Sequence, residues 1–328
     1  MSLNSESFND YYSHLKDYTQ IVKNGNDISL SICIDTVKHQ YLCDHVFGGM
    51  CFIPATMIME LLMEAALWYT REILKKDDFF PVGLDDINIE RALTVAKGEA
   101  IQAVINFQKV VDTNGEIAVY FIINSERKSA TGEKVGTRIN TTAKVILAKE
   151  YPATPSVDYS DAFTERYNIP QDVFYREYFP SLGFLFNSCI GKIAFDREQR
   201  IFCGVYNCNS KEKEFIKNDT SAFLSSPLGN DSCLQYAVFF SRILALKGRL
   251  PIGGRELRMF KKHPVNGEVK VFIKCIHLDD DIMIFDFYSF DETSLIALGK
   301  EFKVKKSPYH KELSRQEFEL IMNLYKEE

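Results

Sequence analysis

Two stretches of the chain are apolar around almost the whole circumference of a helix, and alternating runs follow each of them. From Ala55 to Lys75, the residues Ile58, Leu61, Leu62, Ala65, Ala66, Tyr69 and Ile73 recur at the i, i+3, i+4, i+7 spacing of a helix face. Met57, Met59, Met63 and Leu67 widen that stripe until little polar surface is left. A helix of this kind has to be wrapped by other structure. Pro54 suits its first helical position, where the missing N–H costs nothing. Strand-like runs come next: PVGLDDINI, RALTV, EAIQAVINFQKVV, EIAVYFIINSE and TRINTTAKVILA. They are rich in β-branched and aromatic residues and separated by Gly-containing breaks, as an antiparallel meander requires. Ahead of the helix, ISLSICI alternates as a strand, and the polar, aromatic stretch 5–24 predicts a short covering helix.

The theme then repeats. Lys149–Gln171 is polar, Pro-containing and weakly periodic, which predicts a linker. NSCIGKIAF and RIFCGVY read as strands, and a second apolar helix is expected from about Asp231 to Lys247, stopping at Gly248 with Pro251 just beyond. RELRMF, EVKVFIKCI, DIMIFDFYSF and SLIALGKEFKV follow as strands, and Glu312–Tyr325 has the pattern of a short amphipathic helix. The expected organisation is a first domain over 1–148, a linker over 149–171 and a second domain over 172–328. The fold class is α+β, two antiparallel sheets each wrapped around one long apolar helix.

Composition narrows the classes of function. The 328 residues are 46% apolar, enough for a sizeable core, and the net charge of −6 leaves no basic footprint for nucleic acid. No run reaches the ~18–20 apolar residues of a bilayer span, and the first residues lack a charged head with an apolar run behind it. The eight cysteines show no CxxC spacing and lie mostly in apolar runs, the usage of reduced thiols in a cytoplasmic protein.

The segment between His39 and Glu60 carries the first candidate chemistry. His45, Gly49 and Pro54 stand at the spacing His-x-x-x-Gly-x-x-x-x-Pro, with His39, Asp44 and Glu60 flanking. It resembles the dehydratase domains of polyketide and related fatty-acid synthases, which carry that motif in a longer context from which Gln40 and Ala55 depart. The same domains have an Asp-x-x-x-Gln/His motif at the start of their second helix; Asp231 and Gln235 match it, and Ser226 stands where the family usually has His. A third stretch, Leu182–Asn187, occupies the place of a Gly-Tyr-Gly-Pro-x-Phe pocket wall, with Gly183 and Phe186 kept and Phe184 in place of the proline.

The resemblance implies a double hotdog fold with one active site formed between the halves. It implies a 3-hydroxyacyl dehydratase, a carbon–oxygen lyase in polyketide or fatty-acid-type biosynthesis, with His45 as base and Asp231 as acid. Gln235 holds the acid or the substrate hydroxyl, the Gly49 N–H serves the thioester oxyanion, and Pro54, Gly183, Phe184 and Phe186 contact the substrate. It also implies an acyl carrier protein as partner, the substrate riding on that partner's phosphopantetheine, no cofactor or metal of the chain's own, and homodimerisation as a common state.

The residue types suit that chemistry independently. Eliminating water removes a proton from Cα and supplies one to the departing hydroxyl. A neutral imidazole is a suitable base. The acid must arrive protonated, which an apolar setting favours, and Ser232–Ser241 holds no charge. Gln235 lies one helical turn from Asp231 on the same face. Other readings stay open. A lone histidine would read first as a core residue, and the register of His45 with Gly49 and Pro54 turns the reading to a base; Asp231 also suits a helix cap and Gly49 a turn. The same acid and base would also run enoyl isomerisation or ring closure, and the fold without turnover would be a carrier-binding module. Cys43, Cys51, His39 and His45 match no closed zinc spacing. Leu228-Gly-Asn-Asp231-Ser232 looks like the phosphopantetheine attachment site of a carrier protein, but the strand pattern after Pro251 does not fit a helical carrier.

Overall fold

The computed structural model describes residues 15, 19–24, 27–113, 115–128, 133–157, 163–217, 222–292, 294–309 and 314–327. These fall into two compact units: residues 1–151 with 211–227, and residues 152–210 with 228–328. The stretch expected to be a linker therefore holds structure. Glu165–Asn168 is a strand of the second unit, paired in register from Glu165 opposite Phe195 to Asn168 opposite Lys192. The segment 211–227, placed by sequence inside the second domain, clusters with the first. Backbone bonds hold it there, from Lys217 N–H to the Lys38 carbonyl at 2.8 Å and from Tyr41 N–H to the Phe215 carbonyl at 3.4 Å.

In the first unit, β1 (Thr19–Asn24), β2 (Asp27–Asp35), β5 (Phe80–Ile89), β7 (Ala100–Asp112), β8 (Glu116–Lys128) and β9 (Lys134–Ala148) form an antiparallel sheet in the order β1-β2-β7-β8-β9-β5. Its end strand β1 lies where a covering helix was expected; most of the rest of that stretch is outside the described residues. Pairing along β2, from Thr19 opposite Ile32 to Asn24 opposite Asp27, overrides a weak local helical pattern. Alternation along β2 turns Leu30, Ile32 and Ile34 inward.

The helix α1 (Ala55–Trp68) packs on β5 and β9, and every residue from Thr56 to Trp68 is buried. Its Leu and Met side chains each contribute roughly 1.5–3 kcal/mol by leaving water. A π-helical turn, Tyr69–Ile73, continues it. Short strands β3 (Val46–Phe47), β4 (Met50–Phe52) and β6 (Thr94–Val95) make a small sheet before and beside the helix; of the expected run RALTV only the last two residues pair.

The second unit repeats the plan. Strands β10 (Glu165–Asn168), β11 (Cys189–Asp196), β12 (Ile201–Cys208), β13 (Arg249–Met259), β14 (Gly267–Leu278), β15 (Ile282–Phe290) and β16 (Leu295–Lys306) are antiparallel in the order β13-β16-β15-β14-β12-β11-β10. Its apolar helix α3 (Pro227–Ala245) starts one turn earlier than expected, because Pro227 is compatible with a first helical turn. Asp231 therefore sits inside the helix and is not its cap. The helix also ends earlier: Leu246, at φ 59°, makes the left-handed reversal expected of Gly248, and its N–H returns to the Arg242 carbonyl at 2.8 Å. The chain has to be extended by Arg249, which pairs with Lys306 in β16.

Tyr236 of α3 lies flat on β12 at Gly204, where any Cβ would come within 2.7 Å of its ring. A shorter helix, α2 (Gln171–Tyr178), buries Val173, Phe174, Tyr175 and Tyr178, with Phe174 against Phe239 of α3 at 4.9 Å between ring centres. The expected terminal helix is α4 (Arg315–Asn323), begun by a Ser314/Glu317 capping box. Among the described residues no helix is long and apolar enough to cross a membrane.

Candidate active site

His45 belongs to the first unit and follows a tight 3-10 turn, Gln40–Asp44, whose Tyr41 and Leu42 are buried anchors. His39, matched on the flank of the motif, is a structural clasp: its Nδ1 lies 3.0 Å from the Asp35 carbonyl, and its backbone bridges to Ile216. Beyond His45 the chain folds into a hairpin, with Val46 opposite Cys51 and Phe47 opposite Met50. Gly48 and Gly49 form its two-residue turn with φ of 57° and 81°, the left-handed pair that such a turn requires. Gly49 is exposed, and space around it is open. Pro54 is buried directly ahead of α1, one place before the helical position expected of it. Its carbonyl accepts from the N–H groups of Met57 and Ile58 at 3.1 Å.

The hairpin fixes His45 twice, once through its backbone and once through its imidazole. Phe52 N–H donates to the His45 carbonyl at 2.9 Å, and His45 Nδ1 lies 3.0 Å from the Phe52 carbonyl. A carbonyl oxygen only accepts, so Nδ1 carries the hydrogen and Nε2 carries the lone pair. The edge-on ring of Phe47, 4.9 Å away between centres, adds to the apolar setting. Loss of water around the ring outweighs the carbonyl's help and brings the His45 pKa down to about 4. At neutral pH this histidine is an uncharged base in one tautomer.

Asp231 belongs to the second unit, in the second turn of α3, and is 7% exposed. Burial raises its carboxyl to about 6, against the lowering effect of one hydrogen bond from Gln235. That bond, Gln235 Nε2 to Asp231 Oδ2, is 2.7 Å long and spans one helical turn. Gln235 Nε2 also donates to the Phe186 carbonyl at 3.1 Å, and its Oε1 accepts from the Tyr175 hydroxyl at 2.8 Å. Two buried thiols border the group: Cys189, pushed up to about 12 by desolvation, and Cys233, raised well above its ordinary value for the same reason, each also feeling the Asp231 charge.

Asp231, Gln235 and Phe186 are thus brought together, but Phe186 takes part through its carbonyl while its ring is core, 0% exposed. Gly183 begins the short turn Phe184–Phe186, accepting from Phe186 N–H at 3.1 Å in an extended conformation that any residue adopts. Phe184 turns outward, 64% exposed. Tyr175 is the contributor that sequence reasoning missed: no element was expected between the linker and NSCIGKIAF, and an aromatic residue there carries no sign of a partner distant in the chain. Ser226, standing where the related domains have histidine, donates to Glu212 at 2.7 Å. Ser232 is fully buried and donates to the Leu228 carbonyl at 2.8 Å, so it is inaccessible as an attachment site. Among the described residues no three His, Cys, Asp or Glu side chains converge as a metal site would need.

No family model matches the chain, and no curated protein sequence does. Solved structures do. GphF dehydratase 1 is similar at 12% identity over 90% of this chain and 99% of its own, with a TM-score of 0.66. The dehydratase domain from the CurJ module of curacin polyketide synthase is 15% identical over 88% of this chain and 95% of its own, TM-score 0.64. A trans-AT polyketide synthase dehydratase domain from Brevibacillus brevis is 15% identical over 88% of this chain and 96% of its own, TM-score 0.67. This chain has the double-hotdog fold of polyketide synthase dehydratase domains. At such identities the likeness carries the fold, and the chemistry of this double hotdog has to be argued from its own side chains.

Proposed function

We propose that this double hotdog is a dehydratase that eliminates water from a 3-hydroxyacyl thioester carried on an acyl carrier protein, as in polyketide or fatty-acid-type biosynthesis. One observation carries the reading: the two motif-bearing side chains have opposite protonation set by their surroundings. His45 is kept neutral with Nε2 as its basic nitrogen, and Asp231 is kept protonated up to about pH 6.

In this mechanism His45 Nε2 takes the Cα proton, the C3–O bond breaks, and Asp231 gives its proton to the departing hydroxyl, leaving an enoyl thioester and water. Negative charge on the thioester oxygen needs a preorganised donor, a role we assign to the Gly49 N–H, with the N-terminus of α1 behind it. Such a donor lowers a barrier by about 3–4 kcal/mol. Pro54 and the stretch from Gly183 to Phe186, Phe184 included, are assigned to the substrate path. The chain's residues perform both proton transfers, so the reading calls for no cofactor.

The test is direct. Purified protein given 3-hydroxyacyl-pantetheine or carrier-bound 3-hydroxyacyl chains should yield the enoyl product, followed by mass spectrometry. His45→Ala and Asp231→Asn should each lower turnover by about 10²–10⁴. No product from either substrate form would end the proposal. A second reading, double-bond migration in an enoyl chain, is favoured by one similar structure being an isomerase-inactive variant of GphF DH1. It uses the same two groups, and supplying 2-enoyl chains and locating the double bond in the product separates the two.

A further inference from the structure

We infer that Tyr175 is a positioning residue for Asp231: by donating to Gln235 it orients the amide so that Asp231 Oδ2 is always an acceptor, which leaves Oδ1 as the oxygen that carries the transferable proton. The inference rests on the dehydratase reading for its functional meaning, while the hydrogen-bond logic stands on the second unit alone.

The count of donors compels the arrangement. The Tyr175 oxygen accepts from two backbone groups, Ser188 N–H and Cys189 N–H, each at 2.9 Å. Its single hydrogen then has two acceptors in range, Gln235 Oε1 at 2.8 Å and the Phe186 carbonyl at 3.1 Å. Either way no hydrogen can come from Gln235 to Tyr175, so the oxygen of the amide faces the phenol and the NH₂ faces Asp231 Oδ2 and the Phe186 carbonyl. Cys189 Sγ, 3.6 Å from Oε1, is a weak second donor to the same oxygen and reinforces that choice. The phenol cannot serve as an acid itself, because burial raises its pKa well above the ordinary value. Oδ2, filled by Gln235 Nε2, is the poorer place for a proton, and the acid therefore works through Oδ1. The titratable groups facing this cluster within the unit are Cys189 of β11, Cys233 and Tyr236 of α3 and Tyr175 of α2, all held neutral by burial.

Infrared titration of the carboxyl band in the full-length protein tests this without any substrate, Asp231→Asn identifying the band. Tyr175→Phe keeps the ring and removes the donor. Gln235→Leu leaves Tyr175 with its two backbone donors and guards against a Tyr175 variant that fails to fold. Each should raise the Asp231 midpoint by about one pH unit, and the double variant should raise it no further than the larger single. The alkaline limb of turnover should move with the midpoint, and turnover should fall roughly tenfold with KM little changed. An unmoved midpoint in Tyr175→Phe, or single shifts that add in the double variant, overturns the inference even if dehydration is confirmed. The shifts appearing in a protein that turns over no 3-hydroxyacyl thioester would uphold the coupling and refute the dehydratase reading.

Discussion

Each unit buries carboxyl chemistry on its long helix, Glu60 and Glu64 on α1 and Asp231 on α3, and Glu60 and Asp231 differ most in their hydrogen-bond partners. Glu60 is 0% exposed, and burial together with the neighbouring Glu64 charge lifts its pKa to about 7; Asp231 is 7% exposed and lifted by burial to about 6. Judged by pKa alone, both are candidate acids. Hydrogen bonds separate them. Glu60 accepts from Leu224 N–H at 2.5 Å, and from the Ser225 N–H and hydroxyl at 2.9 and 2.6 Å. Both its oxygens are engaged in tying segment 211–227 to the helix. Among the described residues Asp231 receives a single donor, on one oxygen. A saturated carboxyl is a fastener, and one with an oxygen in reserve can exchange a proton with a substrate.

The largest effect that would break this contrast is on turnover. Asp231→Asn should lose about 10²–10⁴ in rate with its fold intact, whereas Glu60→Gln should keep most of its rate under conditions where it is folded. Equal losses in steady-state assays of both would abolish the distinction.

Stability should answer in the opposite sense. Glu60→Ala leaves the donors of Leu224 and Ser225 without their acceptor and should cost roughly 3–5 kcal/mol in urea unfolding. Asp231→Asn should stabilise the protein at neutral pH. The sign follows from linkage: the folded-state pKa of Asp231 is raised from 3.8 to about 6, so its contribution is intact below 3.8 and is lost as pH rises through 6. The gap in melting temperature in favour of Asp231→Asn should widen between pH 4 and 7, and a constant gap would contradict the burial of this group.

The pH profile of kcat/KM sharpens the comparison further. Activity needs His45 neutral, which holds above about 4, and Asp231 protonated, which holds below about 6, so the profile should be a bell between them. In kcat the alkaline limb should lie higher, because a bound acyl chain displaces water from the acid. An alkaline limb that persists unchanged in Asp231→Asn would assign it to another group.

The smallest expected effect is at Gly49. Open space surrounds a Cβ there, so Gly49→Ala meets only the penalty of its left-handed φ of 81°, about 1–2 kcal/mol in unfolding experiments. A rate loss beyond what this explains would locate function in its N–H.

Much of this was legible in the chain because period is local information. The continuous apolar stripe from Ile58 to Ile73, the alternation of DIMIFDFYSF and the spacing His45, Gly49, Pro54 each need only neighbouring residues to be read. The same reading failed where partners distant in sequence decide the outcome. Gln20 and Ile21 became strand because Ser31 and Leu30 pair with them. Gly248 lost the helix cap to Leu246 because β13 had to meet β16. Tyr175 was invisible because an aromatic residue on a buried helical face looks the same whether its hydroxyl is idle or, as here, meets Gln235 sixty positions away.

Sequence by itself determined the two apolar helices, the strand-rich segments that wrap them and the residue types available for proton transfer, since those follow from pattern and chemical identity. Tertiary structure decided which carboxyl is fastened and which has an oxygen in reserve, which nitrogen of His45 is basic and which way the Gln235 amide faces. Protonation and hydrogen-bond direction depend on the distance to particular carbonyls and hydroxyls and on the exclusion of water, and those exist only once the chain has folded.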